Sequence, residues 1–248
     1  MKKLFFLAAA MIAAVSMNAE TLTFNADTVT AVGHKSTGAW SDGYTWSMTN
    51  IDVTLVDSLK KMTVDANNAL FGDANGWVKL ESRLRPNGAT YEKKDGDGNP
   101  KGIFNNYIEV TVYTAGKLTI APRSSNKDAA DRNLVVRQAD GAAFPGGTVL
   151  LDQIVKDADA IKVPTPTTDD PNKTTACYPV YSVDVQPGIV TIAYPVNAIN
   201  IYAIAFGDIE TALGEAEAEG AKAVKKMIDG QIVIEKGGKL YNALGAEL

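Results

Sequence analysis

The chain has 248 residues, a formal net charge of −5 and hydrophobic residues at 46% of its positions, enough for one large domain with or without a small appendix. Because it is acidic and has no basic cluster, we expect no nucleic-acid partner. His34 and Cys177 are the only histidine and cysteine. The chain therefore lacks most of the residues needed for His/Cys zinc sites and for Ser-His-Asp or Cys-His catalytic arrangements.

Residues 1–19 are predicted to be a secretory signal peptide. Two lysines precede an apolar run over residues 4–15, which is too short for a stable membrane span. Small residues at Ser16 and Ala19 offer two cleavage points, and a buried N-terminal helix is the alternative interpretation. No later segment reaches ~18 consecutive apolar residues, so no transmembrane span is predicted. We therefore expect the protein outside the cell or on its outer surface.

Residues 20–207 are predicted to form an all-β domain. Their dominant period is two, which is typical of antiparallel strands with one buried face. The alternating segments are Ile51–Leu55, Ile108–Val112, Leu118–Ile120, Val183–Val185 and Val190–Ile192. Short strands separated by turns, without a long helical period, indicate a two-sheet antiparallel β-sandwich that is jelly-roll-like.

Several local features refine this prediction. Thr114–Gly116 and Pro187–Gly188 separate strands at hairpin spacing. Val149–Leu151 and Ala198–Phe206 are apolar on both faces and are predicted to be central strands. Cys177 lies among strand-like residues, so a buried, unreactive thiol is favoured over a reactive one.

Aromatic residues in a Gly/Ser/Asp-rich stretch suggest a binding surface. Trp40, Tyr44 and Trp46 cluster there, and Trp77 follows at a predicted loop edge. Exposed rings can stack on the C–H faces of sugars. The alternative is that these rings cap the core of the sandwich, as most Trp side chains do.

Arginines on or beside the predicted strands are a second set of candidates. Guanidinium groups suit the carboxylates of acidic sugars. The candidate ligand-binding arginines are Arg83, Arg85 and Arg123, with Arg132 and Arg137 nearby in sequence. Structural pairing with Glu81, Asp128 or Asp131 is the alternative.

No metal site or cofactor is predicted. The loop from Asp95 to Asn99 places oxygen side chains at alternate positions, as the start of a calcium loop does. Pro100 stands where an EF-hand needs glycine, and no closing Glu follows, so a plain turn is favoured. The carboxylate pair Asp169–Asp170 lies in a Pro/Thr-rich loop with nothing to hold it, so no catalytic residues are assigned.

The composition changes after Phe206. Residues 208–226 are rich in Ala, Glu and Gly and are predicted to be a linker. Residues 227–248 form a predicted hairpin tail with strands at Gln231–Glu235 and Lys239–Asn242. A two-stranded hairpin alone is only marginally stable in water. We therefore expect this unit to pack against another part of the protein or to be recognised by another protein assembly.

The tail resembles the end of a C-terminal sorting signal of the type IX (Por) secretion system. The matching features are Asp229-Gly230, the turn Gly237-Gly238, and the segment Tyr241–Gly245 near the terminus. Full sorting domains are small sandwiches, and only the final strands are evident here. The resemblance implies export across the outer membrane through the secretion machinery.

Residues 76–207 resemble the jelly-roll, carbohydrate-binding-like modules attached to some secreted bacterial pectate lyases. The segments that carry the resemblance are Ser82–Gly88, Gly116–Ser124, Asp131–Val136, Tyr194-Pro195 and Ile199–Phe206. No parallel β-helix repeat accompanies them. The resemblance implies a module that binds polysaccharide or oligosaccharide without its enzyme.

The sequence therefore predicts a secreted or cell-surface carbohydrate-binding module without catalytic activity. A structural or adhesive surface β-sandwich with protein partners is the alternative. A carboxylate-dependent glycan hydrolase or lyase is a third hypothesis, because such enzymes need only two suitably placed carboxyl groups.

Overall fold

The computed structural model describes residues 20–24, 43–141, 144–165 and 173–209, and the backbone of 224–228, 231–236 and 239–242. Several predictions lie outside these residues: the signal peptide over 1–19, His34, Trp40, Asp169–Asp170 and most of the 208–226 linker.

Within the described residues the chain is built almost entirely of β-strands, with one short 3-10 turn at Asp157–Asp159. The strands in chain order are β1 Glu20–Thr23, β2 Tyr44–Ser47, β3 Ile51–Asp57, β4 Thr63–Gly72, β5 Trp77–Arg85, β6 Glu92–Lys94, β7 Pro100–Phe104, β8 Asn106–Val112, β9 Gly116–Ser124, β10 Asn133–Gln138, β11 Thr148–Ile154, β12 Ile161–Pro164, β13 Thr174–Tyr178, β14 Tyr181–Val185, β15 Gly188–Ala193, β16 Ile199–Phe206, β17 Val224–Ile228, β18 Gln231–Lys236 and β19 Lys239–Asn242.

Two large sheets form the predicted sandwich. The six-stranded sheet has the order β11-β10-β15-β8-β3-β2, and the eight-stranded sheet has the order β12-β13-β4-β5-β16-β9-β14, with β1 beside β16. Buried and half-buried residues alternate strictly along β3 and β8, as their period of two predicts. Their apolar side chains and those of β9 and β16 fill the core between the sheets.

The two predicted hairpins are wrong. β8 pairs with β3 and β15, so both of its edges are occupied, and Thr114–Gly116 carries the chain across the core to β9 in the other sheet. Pro187 likewise connects β14 to β15 between the two sheets. Both turns are corners of the sandwich, which a short Gly- or Pro-containing connection also permits.

Of the two predicted central strands, one is confirmed. All eight residues of β16 are buried, because the strand has neighbours on both edges and side chains on both faces. Val149–Leu151 instead belongs to β11, at the edge of the six-stranded sheet, and Val149 is 46% exposed. An apolar run therefore did not identify a central strand there.

The eight-stranded sheet is strongly curled. Only Pro179 and Val180 separate β13 from β14, although four strands lie between them in the sheet. In a flat sheet these strands would be ~24 Å apart, whereas the connection spans at most roughly 11 Å. The sheet therefore folds its outer face inward over a second apolar cluster. The buried members of this cluster are Ala69, Phe71, Leu80, Ala121, Tyr178, Tyr202, Ala203, Ala205 and Ile209.

Two smaller sheets complete the described structure. β6 and β7 form an antiparallel ribbon around the loop at Asp95–Asn99. Strands β17, β18 and β19 form a three-stranded antiparallel sheet. The two strands predicted for the tail correspond to β18 and β19, and β17 adds a third strand that begins within the predicted linker.

Candidate functional site

Trp46 lies in the core and not on an exposed platform. Its side chain belongs to β2 and is 7% exposed. The ring meets Phe24 edge-on at 5.7 Å and Tyr44 at 4.6 Å between centroids. Tyr44 is half-buried against the same core, and its burial raises the pKa of its hydroxyl. The prediction that Trp46 stacks on a ligand is thus corrected in favour of its alternative, a ring that caps the core.

Trp77 begins β5 and is half-buried. It packs against a small cluster of Leu70, Val163 and Cys177. Cys177 is 1% exposed, which confirms the predicted burial of its thiol. Burial, and then the charge of Asp73, raise the pKa of this thiol to about 11, so it stays protonated at neutral pH.

Arg83 and Arg85 both bind one carboxylate on the neighbouring strand β4. Arg83 Nε donates to Asp65 Oδ1 at 2.7 Å and its Nη2 donates to Oδ2 at 3.2 Å, while Arg85 Nη1 donates to Oδ2 at 3.1 Å. Burial opposes ionisation of Asp65, but the bonds and charges of the two arginines outweigh it and lower its pKa. Structural pairing is therefore present, with a partner that the sequence analysis did not name.

Arg123 on β9 is held by a carboxylate and an aromatic ring. Its Nη2 donates to Asp157 Oδ2 at 3.0 Å, and its guanidinium carbon lies 4.4 Å from the centre of the Tyr178 ring. The Tyr178 hydroxyl also donates to Asp157 Oδ2, at 3.4 Å. Burial opposes the charged guanidinium, but the hydrogen bond to Asp157 outweighs it and raises the Arg123 pKa. The cation is thus fixed in one orientation.

Tyr202 on β16 lies between the two paired arginines. β16 is the strand between β5, which carries Arg83, and β9, which carries Arg123. The Tyr202 hydroxyl donates to Asn67 Oδ1 at 2.5 Å. Burial raises its pKa, while Arg123 and then Arg83 act in the opposite direction. The structure thus brings Arg83 and Arg123 together around a tyrosine.

Sequence reasoning missed Tyr202, Tyr178, Asp65 and Asp157. Only Tyr202 had a signal in the sequence. Side chains alternate along a strand, and the neighbouring Ile201 faces the main core, so Tyr202 is expected on the opposite face of β16.

A cavity of about 310 Å³ opens beside Arg123. Its lining residues come from β4, β5, β9, β13 and the end of β12, and they are Asn68, Ala69, Leu70, Lys79, Arg123, Thr165, Thr175, Ala176 and Tyr178. Among the residues that the structure describes, the buried Thr165 Oγ1 on this lining and the buried Asp157 Oδ1 next to Arg123 have no hydrogen-bond partner. Buried polar atoms normally have partners, and Thr165 Oγ1, which belongs to a residue of the lining, still has capacity for one. The cavity combines an apolar wall with fixed donors, as small-molecule sites do.

A second cavity, of about 470 Å³, lies at the Gly72–Gly76 end of the same curled sheet. Its polar side chains other than that of Asn75 are engaged within the protein. The hydroxyls of Thr119 and Ser182 bond to each other at 2.8 Å, and Asp208 pairs with Lys117 at 3.1 Å. The Arg123 cavity is therefore the stronger candidate site.

The loop at Asp95 is held as a turn. Asp95 Oδ1 accepts the backbone N–H groups of Asp97 and Asn99 at 2.9 and 2.8 Å. These hydrogen bonds lower the Asp95 pKa, the bond from Asn99 most. In the described ranges, no group of three His, Cys, Asp or Glu side chains could hold a metal ion.

No protein-family model and no curated protein matches the sequence. The solved structures that match include two adhesin domains. The K1 cleaved adhesin domain of Lys-gingipain (Kgp) from Porphyromonas gingivalis W83 has 9% identity and a TM-score of 0.38, with 77% of this chain and 99% of that chain covered. The K2 cleaved adhesin domain of Lys-gingipain has 13% identity and a TM-score of 0.40, with 77% and 98% covered. Both similarities are too low to assign a function. No helix in the part of the chain that the structure describes is long and apolar enough to span a membrane.

Proposed function

We propose that the chain is a non-catalytic carbohydrate-binding module, exported to the cell surface or beyond, that holds a saccharide in the Arg123 cavity. The observation that carries the proposal is the combination of an oriented guanidinium with an unsatisfied buried hydroxyl at the wall of one cavity. Lys79 and Asn68 add donors to the same wall. Sugars match such a surface because they present hydroxyls for planar polar groups and C–H faces for apolar walls.

Asp65 is not a candidate for the acid of a glycoside hydrolase. A glycoside hydrolase needs one carboxyl group with a raised pKa to protonate the leaving group. The pKa of Asp65 is lowered by Arg83 and Arg85, so this carboxyl is ionised and cannot serve as that acid.

An adhesive surface protein with protein partners is the second candidate function. It is favoured by large apolar side chains exposed on and beside the β6–β7 ribbon, where Ile103 is 51% and Tyr91 45% exposed. Exposed apolar groups of this kind are used in protein interfaces. Neither Ile103 nor Tyr91 lines the Arg123 cavity.

A glycan array with the mature protein tests the proposal, followed by Thr165→Val. Valine keeps the shape of threonine and removes the unpartnered hydroxyl, so we expect a melting temperature equal to or above that of the wild type. If the hydroxyl bonds to the sugar, the affinity should fall roughly three- to tenfold, which corresponds to one neutral hydrogen bond of ~0.5–1.5 kcal/mol. Absence of any glycan binding by the wild type would contradict the proposal and leave the adhesive function.

A further inference from the structure

The outer face of the six-stranded sheet carries a row of polar side chains in register across four adjacent strands. Thr54 on β3 pairs with Glu109 on β8, Glu109 with Thr191 on β15, and Thr191 with Arg137 on β10. The chain neighbours Val53, Val110, Val190 and Val136 belong to the main core. Because side chains alternate along a strand, the polar row points away from the core.

The two charged members of this row have no polar partner in the described part of the chain. Among the residues that the structure describes, neither Glu109 nor Arg137 forms an ion pair or a side-chain hydrogen bond. Their Cα atoms are two strand spacings apart, or ~10 Å, on either side of Thr191, which is 5% exposed. The carboxylate of Glu109, a hydrogen-bond acceptor, and the planar guanidinium of Arg137, a donor, thus lie on residues that flank Thr191. Arg83 and Arg123, by contrast, are each bound to a carboxylate.

An aromatic cluster adjoins this row. Tyr107 lies two residues from Glu109 along β8, ~6–7 Å away and on the same face. Its ring stacks on Phe144, with 4.3 Å between centroids and an angle of 8° between planes, and Phe104 meets Phe144 edge-on at 4.6 Å. A cavity of about 300 Å³ opens here, lined by Val56, Ser58, Gly102, Ile103, Phe104, Tyr107 and Phe144. The aromatic cluster therefore lies beside Glu109 and Arg137 on the outer face of the six-stranded sheet.

We propose that this face is a second carbohydrate site, which takes a neutral sugar residue. The aromatic cluster covers the C–H face of the ring, Glu109 accepts hydrogen bonds from its hydroxyls, and Arg137 donates to them. Glu109 and Arg137 together give the site no net charge, which favours a neutral ligand over an ion. A purely apolar partner would remove the hydrogen bonds that Glu109 and Arg137 make to water and would offer none in return, which is unfavourable. The site is independent of the Arg123 cavity, which lies in the other sheet.

The test uses the mature chain with Arg123→Gln, so that the first site is disabled. Immobilised neutral oligosaccharides of glucose, mannose, galactose and xylose are the probes, with uronate oligosaccharides for comparison. We expect retained binding of a neutral probe, and a tenfold or greater loss of affinity on adding Glu109→Gln or Arg137→Gln. Glu81→Gln is the matched control, because Glu81 is an exposed glutamate of the other sheet, and it should leave the affinity unchanged.

Three outcomes would overturn the proposal. One is that the Arg123→Gln chain binds no neutral probe, and another is that Glu109→Gln and Arg137→Gln leave the affinity unchanged. The third is a protein ligand that depends on Phe144 and not on Glu109 or Arg137, which would make the aromatic cluster a protein-docking surface. Phe144→Ala removes a half-buried ring and can reduce folding, so the two polar variants decide the question.

Discussion

Replacing Trp46 with alanine should destabilise the protein without weakening ligand binding. The side chain is 7% exposed and contacts the rings of Phe24 and Tyr44, so the substitution leaves a large cavity in the main core. Buried Trp→Ala changes cost about 3–5 kcal/mol. In a domain of this size each kcal/mol lowers Tm by ~2–4 °C, so we expect a fall of roughly 6–20 °C.

Calorimetry on the protein, followed by ligand titration at a temperature where the variant is folded, measures both quantities. Trp77→Ala is the matched control, because Trp77 is half-buried against a small separate cluster and its loss should lower Tm less. A Trp46→Ala protein with unchanged Tm and tenfold weaker glycan affinity would refute the assignment of this ring to the core.

Three further predictions follow from single side chains. Because Cys177 is buried and its pKa is about 11, native protein at pH 8 should react with thiol reagents far more slowly than urea-unfolded protein; equal rates would contradict this. The pKa of Asp65 is lower in the folded protein than in the unfolded chain, where it is ~3.9. Its contribution to stability is therefore present above pH ~3.9 and is lost as the pH falls through its pKa in the folded protein. Asp65→Asn should therefore flatten the acid side of the stability profile, and an unchanged profile would count against its pairing with Arg83 and Arg85. Calcium or a chelator should shift Tm very little, since Asp95 already binds backbone N–H groups, and a rise of many degrees would show a calcium site.

The fold class was predictable from the sequence because alternation in Ile51–Leu55 and Ile108–Val112 reports directly which face of a strand is buried. Trp46 carried the same signal, since Tyr44 and Trp46 alternate with Thr45 and Ser47. The Gly/Ser/Asp-rich surroundings suggested a loop instead. Local composition was therefore a poorer guide to the burial of this ring than the period of the strand.

The candidate site depends on strand order and register, which local patterns do not encode. Asp65 meets Arg83 because these residues are direct partners across β4 and β5, 18 positions apart in the chain. Arg123 and Arg83 come together only because β16 lies between their strands. The curl that forms the cavity follows from β13 and β14 pairing at opposite ends of one sheet. No turn signal near Pro179 distinguishes that connection from a hairpin.

The most direct test of the proposed function is a calorimetric titration of Arg123→Gln and Arg85→Gln with the saccharide selected by the array. Both variants lose an arginine that pairs with an aspartate, but only Arg123 lines the cavity. A charge-assisted hydrogen bond contributes ~1.5–3 kcal/mol, so Arg123→Gln should weaken binding at least tenfold, while Arg85→Gln should bind as the wild type does. Equal affinities of Arg123→Gln and the wild type, with both proteins folded, would contradict a ligand site in this cavity.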